Sequence, residues 1–124
     1  MPAARRFQAQ GYEKTDLPLL ARINIDGEPV VQADLNSAVT YSVLNSSGST
    51  MGTATLAMSN IVYNTLQVDD RWERDSTGYN VRATIPGALF SAPGYYSVEI
   101  NFDPISGSDF VVAVDAHILG LDSK

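Results

Sequence analysis

The sequence predicts an all-β fold, an antiparallel sandwich, and three observations predict it. Apolar and polar residues alternate with period two over Tyr79–Ile85, Tyr95–Phe102 and Phe110–Ile118, the pattern of strands with one buried face. Short turn-rich connections separate these runs: Pro86-Gly-Ala-Leu-Phe90 closed by Pro93-Gly94, then Asp103-Pro-Ile-Ser-Gly-Ser108. The polar positions are filled largely by Ser, Thr, Asn and Gln, as suits strands and turns more than helices. The three runs read as the last three strands of an immunoglobulin-like sandwich of about seven strands. The expected organisation is an extended N-terminal arm over 1–18 and a sandwich over 19–121.

Residues 1–18 hold no helical or strand periodicity of useful length, and Gly11 and Pro18 punctuate them. They read as an arm that lies on a neighbouring subunit, anchored by Phe7 and Tyr12, with Arg5 and Arg6 meeting acidic surface. Removing residues 1–16 is then expected to leave a folded monomer that no longer assembles. Leu19–Ile25 alternates through Ala21, Ile23 and Ile25 as an edge strand, and Asp26-Gly-Glu-Pro29 makes a turn. A polar-dotted connection, Val30–Ser37, leads to a strand over Ala38–Asn45 with Val39, Tyr41 and Val43 inward. Ser46-Ser-Gly-Ser49 turns the chain into a short strand, Gly52–Ala57, and Asn60–Leu66 is a further strand candidate.

Gln67–Thr77 is the densest charge cluster, with Asp69, Asp70, Glu73 and Asp75 interleaved with Arg71 and Arg74 around Trp72, the only tryptophan. It reads as a solvated connection whose Trp72 packs on the sandwich edge, or as a partner-binding surface. In Tyr79–Ile85 the residues Tyr79, Val81, Ala83 and Ile85 share one face; Asn80, Arg82 and Thr84 share the other. Pro86 suits the first residue of a helical turn. Tyr96 is placed inward with Val98, Ile100 and Phe102, at the corner where such domains bond a tyrosine hydroxyl back to the chain. The expected interior of this half is Val81, Ile85, Leu89, Phe90, Tyr96, Val98, Ile100, Val112 and Val114. His117, the only histidine, falls on the outward face of the last strand.

The 124 residues suffice for one core. There is no cysteine, so disulfides, thiolate metal sites and thiol nucleophiles are excluded and packing alone must hold the sheets. The net charge of -6 disfavours general nucleic-acid binding, which needs clustered Lys and Arg on phosphates. No apolar run has the length of a membrane span, and the start of the chain lacks the apolar stretch of a signal peptide. Asn24–Glu28 lacks the spaced carboxylates of a calcium loop. No nucleophile elbow, phosphate loop or His-Glu metal motif accompanies the abundant serines and His117. The expectation is a non-enzymatic chain without cofactor or metal.

Several segments together carry a resemblance. Val31-Gln-Ala-Asp34-Leu35, Ala38–Val43, Tyr63–Gln67, Asp70-Arg71-Trp72, Asp75–Asn80, Ile85-Pro86, Gly94–Glu99 and Asp103–Gly107 are similar to small immunoglobulin-like structural proteins of tailed bacteriophages and prophages. In outline the chain also resembles the N-terminal sandwich of phage baseplate upper proteins. The likeness covers roughly residues 20–119 and carries over no catalytic residue. It implies a virion protein, assembled in the host cytoplasm in repeated copies, whose partner is the major capsid protein or another virion component. Three roles follow from it: a head-decoration (cement) protein, a ring-forming neck or baseplate adaptor, or a host-glycan-binding domain gripping sugar with Trp72 and Tyr79.

Overall fold

The computed structural model describes residues 4–25, 27–69, 76–107 and 109–120 and, within the first strand, side chains from Gln8 onward. Ten strands are present among them: β1 (Ala4–Tyr12), β2 (Leu17–Ala21), β3 (Asn24–Ile25), β4 (Glu28–Pro29), β5 (Ala38–Asn45), β6 (Thr50–Ala57), β7 (Val62–Gln67), β8 (Tyr79–Ile85), β9 (Gly94–Phe102) and β10 (Phe110–Leu119). They form a five-stranded sheet, β1-β10-β9-β5-β6, a three-stranded sheet, β2-β8-β7, and a small β3-β4 hairpin. The chain passes between the two large sheets at β1/β2, between β2 and β5 by way of the hairpin, at β6/β7 and at β8/β9. With the strand order, this makes the protein an immunoglobulin-like sandwich.

Alternation in sequence becomes alternation in burial. Val39, Tyr41 and Val43 of β5, Val98, Ile100 and Phe102 of β9, and Val112, Val114, Ala116 and Ile118 of β10 line the inner face of the larger sheet. Leu17, Leu19 and Ala21 of β2 and Tyr79, Val81, Ala83 and Ile85 of β8 face them from the smaller one. Of the interior expected for the C-terminal half, only Leu89 is less than buried. It packs against the core over Gly52, where a Cβ would come within 2.5 Å of the Leu89 side chain. Tyr96 is inward, and its hydroxyl donates to the Ala92 carbonyl at 2.7 Å, closing the corner before β9. Its ring meets Phe90 edge-on at 5.1 Å.

The N-terminal arm is corrected. Ala4–Tyr12 is a strand lying parallel to β10 of its own chain, in unbroken register from Ala4 opposite Val111 to Tyr12 opposite Leu119. Backbone pairing satisfies the segment without a neighbouring subunit. The turn after it is tied down: Lys14 N–H donates to Phe90 O at 2.9 Å, and Gly87 N–H donates to Asp16 Oδ1 at 2.8 Å. Gly87 is required there, because a Cβ would sit 2.6 Å from the Thr15 backbone. The following strand is displaced accordingly: Leu17–Ala21 pairs with β8, and Asn24–Ile25 turns into the hairpin.

Two other expectations change. Met58–Ile61 is a single helical turn, α1, so the strand expected from Asn60 begins at Val62. Asn80, placed outward by alternation, is 1% exposed. The hairpin segment Ile23–Val30 folds across that side of β8, and the Asn80 carboxamide satisfies its backbone.

Candidate functional site

The larger sheet turns its second face away from the smaller one, and antiparallel and parallel register together decide which side chains meet there. On β9 this face carries Tyr95, Ser97, Glu99 and Asn101; on β10, Val111, Ala113, Asp115 and His117. Tyr95 sits directly opposite His117 and Ser97 opposite Asp115. On the other side of β10, Gln8 pairs with Asp115 and Gln10 with His117. The Tyr95 and His117 rings stack at 4.4 Å between centroids with 9° between planes. Tyr95 nevertheless remains 65% exposed, the most exposed large hydrophobic side chain described.

This stack borders a shallow depression of about 450 Å³ lined by Gln8, Ala9, Gln10, Tyr95, Asp115 and His117. A second, of about 350 Å³, adjoins it towards β5 and shares Tyr95 and Asp115, with Asn45, Ser46 and Ser97. The loop above the second is internally braced: Asn45 Oδ1 accepts from Ser47 N, Ser47 Oγ and Ser49 N at 2.9–3.0 Å. Amides, hydroxyls and one carboxylate thus surround an aromatic platform. That donor set can hydrogen-bond and stack, and among the described residues no group of three or more His, Cys, Asp or Glu could hold a metal ion.

The sheet edges differ in how they are guarded. β2 carries Pro18, which has no N–H to offer a partner. β7 is irregular: Val62 faces Val81 and Gln67 faces Tyr79, so its intervening residues bulge off the ladder. β6, Thr-Met-Gly-Thr-Ala-Thr-Leu-Ala, has neither charge nor proline. Thr53, Ala54 and Thr55 are all exposed. From Gly52 to Ala57 its register with β5 is regular.

Of the residues expected at a partner surface, four fall on one strand. Arg5, Arg6 and Phe7 lie within β1, with their backbones paired to Val112, Ala113 and Val114. Tyr12 ends the same strand and is 51% exposed. Trp72 and the surrounding Asp70–Asp75 lie outside the described residues. Tyr79, expected as an exposed glycan contact, is fully buried, and its hydroxyl donates to Asp69 Oδ2 at 2.8 Å. The Tyr95–His117 pair is not legible in the sequence, because alternation places both residues outward without the strand register that joins them.

Fold and surface together define an immunoglobulin-like β-sandwich domain. No family model and no curated protein matches the chain. Among solved structures it is similar to a 2,6-sialyltransferase of Vibrionaceae Photobacterium sp. JT-ISH-224, with 8% identity over 96% of this chain and 18% of that one, TM-score 0.41. It is similar to a family 123 glycoside hydrolase from Clostridium perfringens, with 10% identity over 94% and 23%, TM-score 0.44. It is also similar to VGSC beta subunits studied for multimeric cell-adhesive interactions, with 12% identity over 94% and 92%, TM-score 0.39. The chain spans about a fifth of the length of the two enzymes.

Proposed function

We propose that this chain is a non-enzymatic structural protein of a tailed-phage or prophage virion, a decoration (cement) module that docks on the head lattice through β6. The sequence resemblance supplies the virion context. The observation that carries the docking mode is the β6 edge, free of charge and proline and regular from Gly52 to Ala57, beside a β2 edge that holds a proline and a β7 edge that bulges. Such an edge presents a row of backbone donors and acceptors that an extended partner segment can complete. Repetition over a lattice then makes individually weak contacts collectively strong. The partner in this reading is the major capsid protein.

The test is incorporation. Thr53→Lys with Thr55→Lys places two charges on an already exposed strand, so the domain is expected to fold but to be lost from purified particles. Normal incorporation of the double variant sinks the β6 mode. Imaging of intact particles separates a lattice decoration, present in hundreds of copies, from a neck or baseplate adaptor confined to one ring.

A further inference from the structure

We propose that the outer face of the β1-β10-β9 sheet is a binding site for a neutral saccharide, with the Tyr95–His117 stack as its platform. The site is distinct from the β6 edge and stands whether or not the chain belongs to a virion. Tyr95 and His117 are directly opposed across adjacent strands, and their rings are stacked at 4.4 Å and 9°. Stacking holds the tyrosine ring in one orientation while leaving it 65% exposed. A large aromatic surface kept in water and braced by a second ring is costly to leave uncovered, since aromatic surface gains by burial.

The surrounding groups narrow the ligand. The apolar face of a pyranose presents C–H groups that pack against the electron-rich face of an aromatic ring. Its equatorial hydroxyls both donate and accept, and the walls offer partners of both kinds. Gln8 and Gln10 carry amides on the β1 side, Asn45 and Ser46 stand towards β5, and Asp115 borders both depressions. Tyr95 lines both as well.

Charge excludes the neighbouring alternatives. A nucleotide would also stack, but its phosphate would approach a chain of net charge -6. Sialic or uronic acids carry the same penalty. A quaternary ammonium group favours several aromatic rings around it, whereas here one exposed tyrosine and one histidine lie in a single stack.

The experiment is an NMR titration of the ¹⁵N-labelled full chain with lactose, chitobiose, glucose and rhamnose, with choline and cytidine monophosphate as controls. At least one neutral sugar is expected to shift the amides of Gln8, Gln10, Tyr95, Ser97 and His117 saturably. Tyr95→Ala is expected to weaken that binding at least tenfold, and Tyr95→Phe to retain it. His117→Ala, which removes the bracing ring, is expected to weaken it by a smaller factor, giving a second reading independent of Tyr95. Saturable binding by choline or cytidine monophosphate alone overturns the proposal. So do sugar-induced shifts that persist in Tyr95→Ala, or no saturable shift with any of the four sugars.

Discussion

Asn80 holds the peptide backbone of Ile23 from both sides. Its Oδ1 accepts from Ile23 N–H at 2.8 Å, and its Nδ2 donates to Ile23 O at 2.9 Å and to Val30 O at 3.0 Å. Ile23 O also accepts from Val30 N–H at 3.0 Å. One carboxamide in β8 therefore does for the hairpin what a neighbouring strand would otherwise do. It also explains how a polar side chain can lie among Tyr79, Val81 and Val30 without an unsatisfied atom.

Replacing Asn80 by Ala leaves buried backbone groups unpaired, each a cost of about 1–3 kcal/mol. Urea unfolding of Asn80→Ala is expected to show a loss of about 2–4 kcal/mol. Asn80→Asp adds a pH signature. Burial against two carbonyl oxygens would raise the folded-state pKa of the new carboxyl above its unfolded value of about 3.9. Its contribution would be most favourable below that value and be lost as pH rises through the folded pKa. Asn80→Asp is therefore expected to be more stable, relative to wild type, at acid pH than at neutral pH; an identical deficit at both contradicts the assignment.

Removal of residues 1–12 tests the place of β1. An arm lying on another subunit could be cut without consequence for the fold. Here the cut strips nine registered positions from β10 and bares its edge. Losing those hydrogen bonds is expected to cost at least about 2 kcal/mol in urea unfolding. The exposed β10 edge is expected to self-associate in size-exclusion chromatography. A monomer of unchanged midpoint would return residues 1–12 to the status of an appendage.

Tyr41 supplies an alkaline signature. It is buried in β5, and burial pushes its phenol above the usual 10.0. Because the folded-state value is raised, the stability it contributes is present below pH 10 and is lost as pH rises through the folded pKa. Thermal unfolding is expected to weaken above that pH, and Tyr41→Phe to weaken less steeply. Parallel curves for the two proteins would place the alkaline sensitivity elsewhere.

The sequence was most legible where strands bury a continuous apolar face. β5, β8, β9 and β10 announce themselves because Val39/Tyr41/Val43 or Val98/Ile100/Phe102 must all enter one core. β1 was not legible. Its described inward positions are Ala9 and Gly11, too small to create an apolar stripe, and Gly11 is small because Leu17 packs there, 2.8 Å from where a Cβ would lie. Asn80 was misread for a related reason. Period two specifies two faces of a strand, but not whether a later hairpin covers the second. The surface pair Tyr95 and His117 needed the β9-β10 register, which depends on the loop between them as well as on either strand.

The parallel arrangement of β1 and β10 also sets how the domain would bear load. Ala4 lies beside Val111 and Tyr12 beside Leu119, so the two strands run the same way for about 30 Å at roughly 3.3 Å per residue. A tether at the start of β1 and another at the end of β10 would pull these neighbours in opposite directions along their common axis. The ladder would then be strained in shear, with its rungs sharing the tension, and would not open one rung at a time like a zipper. A module gripped at those two points would resist stretching until the whole ladder failed at once.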